Sequence, residues 1–359
     1  MKQNIKRVSM PRRHFFIAAN GYSGFRSRYH TFFSSPSYSR VYIIQGGPGT
    51  GKSHLMQKLA DAVEDGGGET AYIHCSSDPE SLDGVVFSQN EKRIAVLDGT
   101  APHVKNPDLP GVIDEIVNLG AFWDAEKLRH DRSIISQLQD EKSAHYQMAY
   151  RYLALAGGTE CLSNKLLASC IDHPKLQQAA GRAVRRLATD QTPEEQIAYL
   201  DACSMAGRVM FLPPDDGLET IFVEDHLGSA YFFLNALRDH LREAQKQRYL
   251  VVPSCFTDEK TSALLIEGGP CFAAERTGKE QKTVNMKRFF KAKETAALRP
   301  QIRKLRALHE DLAETAIQYL KKAGACHFAL EKIYGAAMDF GAMDAYTEAL
   351  KEDILAALF

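Results

Sequence analysis

Neither sign of charge dominates this chain: 44 lysines and arginines stand against 45 aspartates and glutamates in 359 residues. No global field draws it to nucleic acid, which is not indicated as a partner. Signatures of disulfides and zinc sites are missing as well. The seven cysteines, at 75, 161, 170, 203, 255, 271 and 326, include no C-x-x-C pair and no close clustering with histidine. That pattern predicts reduced, mostly buried thiols. No run approaches the ~20 apolar residues of a membrane span. Behind Lys2, Lys6, Arg7, Arg12 and Arg13, the apolar stretch from Phe15 to Ala19 is too short for a secretion signal. The expectation is a soluble, cytoplasmic protein with no membrane partner, long enough for two or three domains.

What the chain does have is an internal repeat. A shift of 179 residues, the distance from Ile44 to Val223, lays Tyr42, Ile43 and Ile44 on Ile221, Phe222 and Val223. It also lays Gly49 on Gly228, Leu55 on Leu234, Ile73 on Val252, and Val85, Val86 and Phe87 on Leu264, Leu265 and Ile266. Further on the shift becomes 167, from Tyr152 to Tyr319, and also pairs Phe122 with Phe289, Ala149 with Ala316 and Gly157 with Gly324.

Each copy ends in a long helical segment. Ile302, Leu305, His309, Leu312, Ala316, Tyr319 and Ala323 form one stripe at spacings of three and four, and Ile135, Leu138, Lys142, His145, Ala149, Tyr152 and Ala156 are the weaker counterpart. Such stripes predict helix-on-helix packing, with Gly157 and Gly324 as left-handed C-caps. Thr192, Pro193 and Glu195 read as a capping box opening a further helix over 190–205. The stretch from Gly207 to Gly217, with Pro213, Pro214, Asp215 and Asp216, marks the border between the halves.

The chemistry is concentrated in one motif. Val41 to Ile44 is fit for a buried strand, and Gly46, Gly47, Pro48, Gly49, Thr50, Gly51, Lys52 and Ser53 follow it as G-x-x-x-x-G-K-[ST]. A helix from His54 to Glu64 completes the strand, loop and helix order that turns backbone N–H groups onto phosphate oxygens. Lys52 is expected to reach the β and γ phosphates of a nucleoside triphosphate, and the Ser53 hydroxyl to ligate Mg²⁺. His54, at the helix start, joins this nucleotide-binding set. A second buried-type strand, Ile94 to Leu97, ends in Asp98, whose carboxylate could hold the magnesium through water.

These residues resemble the P-loop NTPase superfamily, with Walker A at Gly46 to Ser53 and Walker B at Ile94 to Asp98. The strings His74-Cys75-Ser76-Ser77-Asp78-Pro79, Leu82-Asp83-Gly84 and Asp98-Gly99-Thr100-Ala101-Pro102-His103 look more narrowly like a bacterial family of tandem P-loop ATPase-like proteins. That likeness implies two P-loop halves, of which the second is worn here. Tyr231 stands where the lysine is needed and Phe232 where the hydroxyl is needed, while Glu224 and Asp225 would repel phosphate.

The fold class expected is therefore α/β: two P-loop NTPase-like α/β/α halves in tandem, each followed by a long helical segment. The divisions are 1–123, an NTP-binding domain; 124–207, a helical segment able to act as a lid; 208–290, a degenerate P-loop-like domain; and 291–359, a C-terminal helical segment. Catalytic candidates are Lys52 and Asp98, with His74, Asp83 and His103 at strand ends to orient a water or an acceptor. Asp78 is equally a helix cap. Arg182, Arg185 and Arg186 could meet transition-state charge from a lid, although a solvated helix face explains them more simply. The functions expected are an ATP- and Mg²⁺-dependent NTPase or switch, a kinase acting on a small acceptor, or a nucleotide-gated module with an unknown protein partner. No guanine-reading Asn/Thr-Lys-x-Asp motif is present, which favours ATP.

Overall fold

The computed structural model describes residues 14–187, 192–211, 219–276 and 280–359. The basic residues of the first thirteen positions, and Pro213 to Gly217 of the expected border, lie outside these. The first repeat comprises β1 (His14–Phe15), the hairpin β2 (Ala18–Gly21) and β3 (Gly24–Ser27), α1 (Tyr29–Phe32), β4 (Arg40–Gln45), α2 (Lys52–Asp65), β5 (Glu69–His74), β6 (Leu82–Gln89), β7 (Lys92–Asp98) and β8 (Asp114–Asn118). Helices α3 (Ala125–His130), α4 (Arg132–Ser169) and α5 (His173–Arg185) follow. The second repeat runs through β9 (Glu194–Ile197), the hairpin β10 (Asp201–Ser204) and β11 (Gly207–Met210), β12 (Thr220–Val223), α6 (Ala230–Ala244), β13 (Arg248–Ser254), β14 (Thr257–Ile266), β15 (Cys271–Ala273), β16 (Glu280–Val284), α7 (Ala292–Ala336) and α8 (Phe340–Leu358).

The two six-stranded sheets share one topology. The first is ordered β1-β5-β6-β7-β4-β8 and the second β9-β13-β14-β15-β12-β16, strand for strand. In both, only the strand corresponding to β6 runs antiparallel to its neighbours. The repeat read from the two shifts is thus a repeat of topology.

The layering differs from the expected α/β/α halves. Val41, Ile43, Ile73, Val86 and Leu97 on one face of the first sheet share a single core with Leu250, Val252, Ala263, Leu265 and Cys271 of the second. The sheets therefore pack on each other, giving an α/β/β/α order, with Tyr29 and Phe32 of the short α1 also reaching the shared core. Tyr42, Ile44, Val85, Phe87 and Val96 turn outward against α2 and α8, and Val223, Val251, Leu264 and Phe272 against α5 and α6. Strands apolar on both faces satisfy either arrangement, so sequence alone could not choose.

The outer helices are exchanged. Helix α5 follows the first sheet in the chain but packs on the second, and α8 packs on the first. Equivalent backbone bonds fix both crossings: Asp172 N–H donates to Phe289 O at 2.8 Å and Asp339 N–H to Phe122 O at 2.7 Å. Each aspartate then caps its helix, Asp172 accepting from Lys175 N–H and Asp339 from Ala342 N–H. Between the crossings α4 and α7 lie antiparallel, with the Tyr152 and Tyr319 rings 5.6 Å apart, and they cover the hairpins through Ala149, Leu153, Ala316 and Leu320.

Three local expectations are corrected. The segment 190–205 holds strands β9 and β10 instead of a helix, so the second repeat begins inside the 124–207 division. Glu195 is not a cap but a strand residue paired with Arg238 and Arg242 of α6. Gly157 and Gly324 do not end their helices; α4 and α7 run through them. A methyl at Gly157 would lie 2.7 Å from the Tyr22 ring and one at Gly324 3.0 Å from Met205 Sδ, so each glycine lets a hairpin tip close on its helix.

Candidate functional site

Strand β4 feeds a tight loop whose turn is made by Pro48 and Gly49. Gly49 has φ +68° and Gly51, at the start of α2, has φ +82°, a region that side chains disfavour. Thr50 Oγ1 donates to Gly47 O at 2.8 Å, and Lys52 Nζ donates to Gly46 O at 3.0 Å and Gly47 O at 2.8 Å. The ammonium is thereby held over the loop at the helix start. Ser53 Oγ accepts from Leu82 N–H at 3.0 Å, which ties α2 to β6. His54 is exposed beyond the loop.

Strand β7 pairs in parallel with β4 and sets Asp98 opposite Ile44. Asp98 Oδ2 lies 3.5 Å from Lys52 Nζ, while Oδ1 accepts from Thr100 N–H and Oγ1. Burial raises the Asp98 carboxyl above its ordinary range, against the pull of Lys52 and Thr100. At the next residue, Gly99, a Cβ would strike Ile43 Cγ2 and lie 2.8 Å from Gln45 Nε2. The absence of a glutamate there follows from packing.

Of the histidine and aspartate candidates, two meet. His103 Nε2 stands 3.0 Å from Asp83 Oδ2, both side chains buried, with the His103 ring stacked on Tyr29 at 4.4 Å. Burial alone would lower the imidazole, but the Asp83 carboxylate outweighs it and raises His103. His74 goes elsewhere. Its Nδ1 bonds Pro79 O at 2.7 Å and its Nε2 bonds His14 at 2.8 Å, and burial lowers it below its ordinary value. Asp78 accepts from Ser81 Oγ in a local turn.

The loop is covered by the other repeat. The elbow between α7 and α8 rests on it: methyl groups at Gly47 and Gly51 would lie 3.0 Å from the Tyr334 ring and 2.8 Å from Met343 Cε, and one at Gly49 would strike the backbone of Glu331. The Glu331 carboxyl is held below its ordinary range first by His327, against burial, and then by the nearby Lys52 ammonium and Gly49 backbone. A carboxylate thus stands beside the glycine loop. Nothing in the sequence near the loop points to Glu331, because the elbow arrives by the helix exchange. The expected lid arginines do not come here; α5 carries Arg182 and Arg185 over the second sheet.

The corresponding loop of the second repeat is closed from within. Asp225 Oδ1 accepts from Ala230 N–H at 2.9 Å at the start of α6, so a carboxylate serves the helix terminus. The Arg306 guanidinium fills the space over Gly228. Tyr231 lies under Lys260 Nζ at 4.5 Å, and that lysine pairs with Glu160 at 2.8 Å.

Residues 25–86 match the model of a family described as Nephrocystin 3, N-terminal. The matched span holds β4, the glycine loop, α2 and β5, and ends within β6. No curated protein and no solved structure matches the chain. Among the described residues no helix is long and apolar enough to cross a membrane.

Proposed function

We propose that this protein is a Mg²⁺-dependent, ATP-binding P-loop NTPase whose nucleotide state moves the α7–α8 elbow, a hydrolysing switch between the two repeats. One observation carries the reading. Lys52 Nζ is anchored by the carbonyls of Gly46 and Gly47 at the N-terminus of α2, with Asp98 3.5 Å away at the end of the adjacent parallel strand. This is the placement needed for a lysine and loop N–H groups to converge on β and γ phosphate oxygens.

The Ser53 hydroxyl and Asp98 carboxylate are hard oxygen donors of the kind Mg²⁺ takes. Asp98 also suits a cation on its own account, because Lys52 leaves its buried charge under-compensated. When bound, magnesium would neutralise charge on the β and γ phosphates. The chain's residues then bind and orient: the loop N–H groups and Lys52 take the phosphates, and Thr100 fixes the Asp98 rotamer. Incoming phosphate meets the α7 backbone at Glu331, which lies against Gly49, and the Glu331 carboxylate that Lys52 influences, so binding and elbow release are coupled. Gly335 packs against the Gly49 carbonyl, which extends that link along α7.

The alternative, transfer of the γ-phosphate to a small acceptor held by the His74 to Asp83 segment, would require the His14 and Pro79 contacts of His74 to open. Lys52→Ala tests the site. Losing a charge-assisted contact costs ~1.5–3 kcal/mol, about tenfold or more in affinity. Unchanged ATP affinity in that variant removes the assignment, and ADP release that rises only with added cell metabolites selects the kinase.

A further inference from the structure

We propose that Cys75, Asp83 and His103 form a binding site for a zinc-type divalent cation, separate from the Ser53 and Asp98 pair. The three residues come from three places in the first repeat: Cys75 directly after β5, Asp83 within β6 and His103 in the loop after β7. The sheet gathers them, and one ligand atom from each lies within 4.8 Å of the others. Their spread over the sequence, from 75 to 103, is why no cysteine and histidine spacing announced them.

The polar accounting points the same way. Asp83 and His103 are each 5% exposed, yet Asp83 Oδ2, the oxygen that faces His103 Nε2, has no hydrogen-bond partner. The 3.0 Å approach of Asp83 Oδ2 to His103 Nε2 is an ion-pair distance, but the carboxylate oxygen does not meet hydrogen-bond geometry. A buried carboxylate oxygen in this condition is costly unless something satisfies it, and a cation held jointly by Asp83 Oδ2, the His103 ring and the Cys75 sulfur would do so. The ligand set is one sulfur, one nitrogen and one oxygen. Thiolate and imidazole select zinc-like ions over magnesium or calcium, and three protein ligands leave a fourth position open. On binding, the thiol loses its proton to solvent and the sulfur donates to the metal.

The surroundings hold the ligands still. Tyr29 stacks on the His103 ring and its hydroxyl donates to Asp83 O at 2.9 Å, while Phe25 meets the same ring edge-on. The second repeat supplies an internal comparison. At the shift that carries Ile73 onto Val252, Cys75 becomes Ser254 and Asp83 becomes Ser262. Two ligands have gone from the same repeat that lacks the loop lysine, which is expected if the cation site serves the half that binds phosphate and not the shared core.

The test uses the full chain stripped of metal with a chelator and titrated with Co²⁺ alone. The expected result is one equivalent bound, with thiolate-to-cobalt charge-transfer absorption that Zn²⁺ displaces. The near-isosteric Cys75→Ser should remove the absorption. His103→Ala should weaken binding at least tenfold, since even outer-shell losses cost ~10–100-fold. Cys161→Ser, which alters an exposed cysteine, should change neither. Lys52→Ala should also leave the cobalt spectrum intact, so failure of the phosphate-loop reading and failure of this one are separate results. No charge-transfer absorption in the parent chain, or absorption that survives Cys75→Ser, overturns the proposal.

Discussion

If the Glu331 carboxylate stands beside the phosphate cradle, removing its charge should tighten nucleotide binding. The variant is Glu331→Gln, which keeps the shape but deletes the anion whose field Lys52 feels. A charge-assisted contact is worth ~1.5–3 kcal/mol. The Glu331 side chain is 34% exposed and its His327 partner stands 3.5 Å away, so solvent screening brings the usable part to about 1 kcal/mol. ATP no longer meets that anion, and affinity should rise about fivefold. The assay is calorimetric titration with a slowly hydrolysed ATP analogue and Mg²⁺, beside a thermal melt that checks the fold. The sign is the discriminating feature, because loss of a residue that merely supports the loop would weaken binding. Affinity that falls or stays constant in a folded Glu331→Gln protein refutes the competition between Glu331 and phosphate.

Asp98→Asn should keep nucleotide binding but lose most of the affinity gained from magnesium; titration with and without Mg²⁺ checks this, and an undiminished gain would leave Asp98 as a turn residue only. Burial would raise Glu195, but Arg242, Arg238 and Tyr249 outweigh it and bring it from 4.5 to about 2. A depressed carboxyl stabilises the fold above pH ~4.5 and loses that contribution as pH falls towards 2, worth about 3 kcal/mol in all. Glu195→Gln should therefore melt earlier at neutral pH and converge with the parent near pH 2; parallel melting curves across that window would contradict the assignment. One nucleotide should bind per chain, and a measured stoichiometry near two would rule out the closed second loop built on Asp225.

How much was legible in the sequence depends on how local each feature is. The glycine loop, its strand and its helix are set by residues within one another's reach, so the motif and flanks could be read directly. The repeat was legible because two constant shifts preserve apolar positions through corresponding elements. Packing partners were not legible. Ile43 and Leu265 are apolar whether a helix or a second sheet covers them, so the face-to-face sheets escaped notice. Gly157 and Gly324 carry the same letter as a C-cap, and only the hairpin tips at Tyr22 and Met205 show why a side chain is excluded. For 194–204, the Thr192-Pro193-Glu195 cap signal competed with strand pairing, and the parallel ladder from Glu194–Ile197 to Arg248–Val251 won.

The helix exchange explains why a repeat with a closed loop persists. Had each half kept its own last helix, the second repeat would be a separate domain that the first could do without. Instead α8 supplies Met343, Leu350, Ile354 and Leu358 to the core of the first sheet, and the second sheet covers the first sheet's inner face. Each buried leucine or isoleucine contributes roughly 1.5–3 kcal/mol, so the first sheet depends on residues that follow position 340 in the chain. The elbow that places Glu331 at Gly49 is the link between the two long helices completing that exchange. The second repeat therefore shapes the surroundings of the Gly46–Ser53 loop whether or not it has any ligand of its own.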